Sequence, residues 1–143
     1  CELSRGLGDV YKRQFIYQSF NLLEDFNALE NVAIPLIIRG VEKSESYKLA
    51  SNMLKLFNLD HREGHYSNEL SGGEQQRVAI ARAVITKPKI IIADEPTGNL
   101  DKENSTQVLD FLFKSIEKDK ITLIMATHND EIASRAVKRV DLE

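Results

Sequence analysis

The sequence predicts an α/β domain, with a helical subdomain at about 28–86 and a parallel sheet core at about 87–143. Three features point there. Ile90-Ile91-Ile92-Ala93 is a continuous apolar run between Pro88 and the acidic pair Asp94-Glu95, the pattern of a parallel strand buried on both faces. A helical pattern over Lys102–Lys118 and a second apolar run over Ile121–Ala126 follow it. Strand, helix and strand within ~35 residues make a right-handed crossover unit. Upstream, Leu70-Ser71-Gly72-Gly73-Glu74-Gln75-Gln76-Arg77 opens an apolar helix that runs to Ile85.

Composition bounds the function classes. The 143 residues are 42% hydrophobic and 29% charged, with a net charge of -3. A negative balance gives no support for nucleic acid binding, which favours basic patches. The longest apolar run near the start, Val32–Ile38, is interrupted by Pro35 and falls well short of a membrane span. Cys1 is the only cysteine, so disulfides play no part and a reducing cytoplasm is permitted.

Residues 1–14 carry neither helical nor strand periodicity, and Asp9-Val10-Tyr11-Lys12-Arg13-Gln14 resembles a translated sequencing-library adapter. The natural sequence is therefore expected to start near Phe15, with residues 1–14 non-native. Phe15–Gln18 reads as a short strand and Ser19–Asn27 as a loop. Ala28–Ile38 has helical spacing, with Pro35 expected to kink it or end its first part and Gly40 to close it. Lys43–Phe57 is a clearer amphipathic helix, with Leu49, Met53, Leu56 and Phe57 as its apolar stripe. The helix over about 71–86 is stopped by Pro88, and Ser71 with Glu74 has the spacing of a capping box. In Lys102–Lys118 the inward residues are Val108, Leu109, Leu112 and Ile116. A last helix near Asp130–Ala136 and a strand near Val137–Leu142 complete the reading.

Chemistry gathers where ligands bind in parallel sheets, at the carboxyl ends of strands. Asp94 and Glu95 follow the strand 90–93 directly; four apolar residues and an aspartate form a Walker B pattern, and the next carboxylate is placed to accept a proton from water. His128 lies just past the following strand, at the same edge. Gly72 and Gly73 at a helix start expose backbone N–H groups without side chains, which suits an anion. Gln18 ends the first strand, and Asn99-Leu100-Asp101 follows a turn before the next helix. Singly, each could be a surface turn or a capped helix; in this order they are hard to assign to chance.

Gln18, Leu70–Arg77, Ile90–Glu95, Asn99-Leu100-Asp101 and His128 together resemble the Q-loop, signature, Walker B, D-loop and H-loop of the ABC-type ATPases, a P-loop NTPase family. Within it, Phe15–Gln18, Asn21-Leu22-Leu23, Ala28–Leu36 and Leu59-Asp60-His61-Arg62 are closest to the ATPases of lipoprotein-releasing systems, and macrolide-exporter ATPases share much of this. The resemblance implies ATP and Mg²⁺ as cofactors, a dimer of ATPase subunits, and transmembrane permease subunits as partners. It places the protein peripherally at the cytoplasmic face of the inner membrane, touching membrane only through those partners, with no nucleic acid involved. It assigns catalysis to Glu95, His128 and Gln18, magnesium to Asp94 and Gln18, and nucleotide contact across the dimer to Ser71, Gly72, Gly73, Gln75 and Asp101. The helical segment around Ala28–Phe57 would receive the permeases. A soluble ABC-type ATPase acting on DNA or ribosomes is the other class, disfavoured by the negative charge.

The family also uses a Walker A loop, Gly-x-x-x-x-Gly-Lys-Ser/Thr, upstream of Gln18. Residues 1–17 do not contain it: Gly6, Gly8 and Lys12 are not followed by Gly-Lys-Ser/Thr. The expectation is a chain truncated at both ends that, alone, neither binds ATP tightly nor hydrolyses it.

Overall fold

A computed structural model describes residues 13–17 and 19–140. In chain order these form β1 (Arg13–Ile16), α1 (Ala28–Ile38), α2 (Lys43–Leu56), short 3-10 turns at Asp60–Arg62 and Ser67–Glu69, α3 (Gly72–Val84), β2 (Ile90–Asp94), α4 (Lys102–Asp119), β3 (Thr122–Ala126) and α5 (Asp130–Ala133). The strands pair in parallel in the order β1-β2-β3. Ile16 lies opposite Ala93, and Asp94 opposite Ala126. The first strand is displaced from its expected bounds, beginning at Arg13 with Arg13 and Gln14 paired to Ile90 and Ile91. Gln18 and residues 1–12 lie outside the described residues.

Helix α1 starts on a capping box, in which Asn27 accepts from the Glu30 N–H and Glu30 accepts from the Asn27 N–H, both at 2.9 Å. It runs through Pro35 to Ile38, so the proline removes one backbone bond without ending the helix. Gly40, at φ 86°, then turns the chain; its N–H reaches the Ile37 carbonyl and the Val41 N–H reaches Leu36. Helix α2 departs from its expected stripe. Its buried residues are Ser46, Ala50 and Leu54, followed by Phe57, while Leu49 and Leu56 are exposed. Small residues at 46 and 50 allow close approach to α1, and the Ser46 hydroxyl is satisfied by the Val41 carbonyl.

Helix α3 is the centre of the packing, touching β1, α1, α2 and α4. Val78, Ile80, Ala81 and Val84 are sealed in one continuous core with Ile16, Val32, Leu54, Ile91 and Leu112. In α4, Val108, Leu109 and Leu112 are buried and Ile116 packs partly against the core, as the periodicity requires.

Two further expectations are overturned. The strand 90–94 is covered on one face only: Ile91 and Ala93 are buried, whereas Ile92 is half-buried between Phe15 and Ile124, which are 51% and 54% exposed. The apolar run reports a strand that could be covered twice; among the described residues the helices cover one side. At the end of the chain, α5 stops at Ala133, and residues 137–140 form no strand. Val137 and Val140 are exposed and pair with no strand among the described residues, while residues 141–143 lie outside them.

Candidate functional site

Parallel pairing of β2 with β3 brings Asp94, Glu95 and His128 to one sheet edge. Asp94 ends β2 and is exposed. Glu95 leaves the sheet at φ 43°, a backbone conformation that side-chain-bearing residues rarely adopt. Its N–H donates to Ala126 at 2.9 Å and its carbonyl accepts from Gly98 at 3.0 Å, which hold the turn. The carboxylate points across to the end of β3: Oε1 accepts the His128 N–H at 2.6 Å and lies 3.7 Å from His128 Nε2. The imidazole itself is wholly exposed. Glu95 and His128 border an open cleft of about 790 Å³, shared with Leu100, Lys102, Thr106 and Arg135, so water has access to the carboxylate.

The second cluster surrounds the start of α3. Ser71 is the N-cap: its hydroxyl accepts the Glu74 N–H at 3.2 Å, and Glu74 accepts the Ser71 N–H at 2.9 Å. Arg62 binds Glu74 from the preceding turn at 3.1 Å. Burial alone would raise the Glu74 carboxyl, but the Ser71 N–H and the Arg62 guanidinium outweigh it and hold the group below its ordinary value. Gln75 turns inward, its Nε2 donating to the Ser67 and Leu70 carbonyls at 2.8 and 3.1 Å.

The two glycines serve different ends. A Cβ on Gly73 would collide with the Asn104 side chain. Asn104 is itself tied to Asp101, which accepts from its N–H at 2.9 Å and its Nδ2 at 2.8 Å; these bonds also lower the Asp101 pKa. So Asp101 caps α4 and, through Asn104, closes it onto α3. A Cβ on Gly72 would meet only ordinary contacts, 3.4 Å from Leu100 and 3.7 Å from Phe20. Internal packing therefore accounts for glycine at 73 and leaves 72 bare for another reason.

Two polar residues of α3, one buried and one half-buried, escaped the sequence reading. Gln76 is wholly buried and donates to the carbonyls of Pro96 and Tyr17. Arg82 reaches the Asn21 and Phe20 carbonyls at 2.9 and 3.3 Å, and its burial lowers its pKa. Asn31 of α1 joins it, holding both the N–H and the carbonyl of Leu23. The available signal was helical: Gln76 lies on the same stripe as Ile80 and Val84, where a polar residue must find partners.

The donor set suits nucleotide and magnesium. Magnesium keeps several waters and takes one or two carboxylates beside phosphate oxygens; exposed Asp94 fits that demand, and no cluster of three or more metal-ligating side chains is present among the described residues. The bare Gly72 at the head of α3 fits a phosphate.

Residues 10–98 match the family described as "ABC transporter". The chain is 46% identical to the lipoprotein-releasing system ATP-binding protein LolD of Nitrobacter winogradskyi, over 96% of this chain and 62% of that protein. It is 48% identical to the protein of the same name from Rickettsia typhi, over 94% and 61%. It thus spans about three-fifths of the length of these relatives. Among solved structures, the dimeric post-hydrolysis state of the ATP-binding cassette MJ0796 bound to ADP and Pi superposes with a TM-score of 0.74 and 41% identity, over 85% of this chain and 54% of that one. A second dimeric structure of MJ0796 gives 0.76 and 39%, over 91% and 59%. With a parallel sheet that presents Asp94, Glu95 and His128 at one edge, and a glycine-opened helix beside it, this chain belongs to the ABC transporter family.

Proposed function

We propose that the full-length protein carrying this sequence hydrolyses ATP as a subunit of an ABC transporter and drives lipoprotein release from the inner membrane. The observation that carries the chemistry is the Glu95 carboxylate, held by the His128 N–H at 2.6 Å beside exposed Asp94 and open to water. Glu95 takes the proton of the attacking water, which calls for a carboxylate of fixed position near developing charge. His128 would contact the terminal phosphate, and exposed Asp94 would hold magnesium. Bound magnesium supplies charge neutralisation at the transferring phosphoryl group. Gln18 senses metal and nucleotide.

Ser71, Gly72 and Gly73 serve the nucleotide of a second subunit, with Gln75 and Asp101 at the same interface. The dimeric state of the MJ0796 cassettes supports that pairing. The names of the relatives support the lipoprotein assignment. No helix among the described residues is long and apolar enough to cross a membrane. Permease subunits dock on α1 and α2 from the cytoplasmic face. Residues 1–143 alone contain no Gly-x-x-x-x-Gly-Lys-Ser/Thr loop, and on their own they neither hold Mg-ATP tightly nor turn it over.

The decisive experiment is purification of the full-length protein with its permeases, followed by Mg-ATP hydrolysis and lipoprotein release from proteoliposomes. Hydrolysis without release of any lipoprotein would reject the substrate and keep the ATPase. Absence of hydrolysis would reject both.

A further inference from the structure

We infer that Gln76 is a positioning residue, which sets the turn carrying Glu95 and the end of β1 against the helix headed by Ser71-Gly72-Gly73. The inference rests on the ATPase reading above.

Gln76 lies in the second turn of α3 with none of its surface exposed. A primary amide has two N–H donors on one nitrogen. Here that nitrogen serves two separate segments, donating to the Pro96 carbonyl and, at 3.2 Å, to the Tyr17 carbonyl. Pro96 directly follows Glu95, and Tyr17 directly follows β1 and precedes Gln18. The opposite amide orientation would set Oε1 against two carbonyl oxygens, so the donor must face them.

The other half of the side chain argues against a purely stabilising role. Gln76 Oε1 is buried without a hydrogen-bond partner among the described residues. An unsatisfied buried acceptor is destabilising, and it offsets part of what the two donated bonds contribute. What the amide supplies instead is register. Glu95 stands at φ 43° and needs its surroundings to hold it there. Its N–H is fixed by β3, and the next residue's carbonyl is fixed by Gln76. Further along the same helix, Arg82 holds the carbonyls of Phe20 and Asn21, whose φ values are 60° and 50°. One helix therefore grips both unfavourable turns through side chains, and displacement of α3 reaches both.

The test uses full-length protein bearing Gln76→Met, with Val78→Ala as a control that destabilises the same buried helix without touching either carbonyl. Steady-state Mg-ATP hydrolysis is measured with amide hydrogen exchange of the segments 19–21 and 95–98. At equal folded fraction, Gln76→Met is expected to lower kcat by about tenfold or more, to leave KM within about twofold, and to speed exchange in both segments. Val78→Ala is expected to change neither kcat nor those exchange rates. Gln76→Asn, which keeps the amide but shortens its reach, is expected to behave like Gln76→Met. Unchanged kcat in Gln76→Met, or equal losses in Val78→Ala, overturns the positioning role while the parent's turnover upholds the ATPase. A parent without hydrolysis overturns the ATPase reading and this inference with it. Failure of both Gln76 variants to fold assigns the residue to the core and also overturns the role.

Discussion

The backbone N–H of His128 donates to Glu95 Oε1 at 2.6 Å, and the His128 ring nitrogen Nε2 lies 3.7 Å from the same oxygen. Two residues 33 positions apart thus share one carboxylate oxygen, because β2 and β3 are parallel neighbours and both chains leave the sheet at the same edge. Oε1 is held by the backbone, so the orientation of the carboxylate does not depend on the exposed imidazole.

Glu95→Gln keeps an oxygen acceptor for the His128 N–H and removes the ability to take a proton. In the full-length protein, hydrolysis is expected to fall by about 10²–10⁴-fold, with Mg-ATP binding retained. Phosphate release and equilibrium nucleotide binding check this; turnover within a few fold of the parent rejects Glu95 as the base.

Gly73→Ala forces a Cβ into the Asn104 side chain. Such overpacking is expected to cost about 1–3 kcal/mol, and Asn104→Ala in the same molecule should recover part of it. Gly72→Ala meets only ordinary contacts, so its stability should stay within about 0.5 kcal/mol. Urea denaturation of the four proteins decides the matter, and equal losses at 72 and 73 would contradict the geometry.

Asn31→Leu leaves the Leu23 N–H and carbonyl, both now held by the Asn31 amide, without that partner. A loss of about 1–3 kcal/mol is expected, with faster proteolysis between residues 19 and 27. Unaltered cleavage would show that the loop keeps its shape without Asn31.

Glu74 titrates below its ordinary value in the folded chain. The unfolded state then binds more protons in acid, so the stability Glu74 contributes is complete above the ordinary glutamate pKa. It is lost as pH falls through the lower, folded value. Glu74→Gln should flatten the acid limb of a stability–pH curve and leave its neutral limb parallel to that of the parent. An unchanged acid slope would assign the dependence to other carboxyls.

Ile91 and Ile124 test which face of the sheet is covered. Ile91→Ala, at a wholly buried site, is expected to cost about 2–5 kcal/mol. Ile124 is 54% exposed, and its loss should be clearly smaller. Equal losses in the full-length protein would show that additional chain covers the Ile124 face.

Much of this molecule was legible because local rules and tertiary structure agree. Ser71 with Glu74 announces a helix start, since a capping box satisfies its donors within one turn. The Ile90–Ala93 run announces a strand, and the acidic pair after it marks the sheet edge where Asp94 and Glu95 stand. The exposed Leu49 and Leu56 of α2 could not be recognised, because the stripe that meets α1 is chosen by the small Ser46 and Ala50, a property of the neighbour's shape. Nor could the single covered face of β2, since hydrophobicity records what tolerates burial and not what is present to bury it.

The sequence by itself determined the family, the order of the elements from β1 to α5, and the identity of the residues at the sheet edge and at the head of α3. Those follow from short-range pattern: periodicity, caps, and chemistry-bearing residues at fixed spacing. Only the tertiary structure decided how the pieces are held to one another: Glu95 fastened to His128, Gly73 closed by Asn104, and Gln76 joining Tyr17 to Pro96. Each of these contacts spans residues far apart in the chain, and whether it forms depends on the position of a backbone atom that no local pattern encodes.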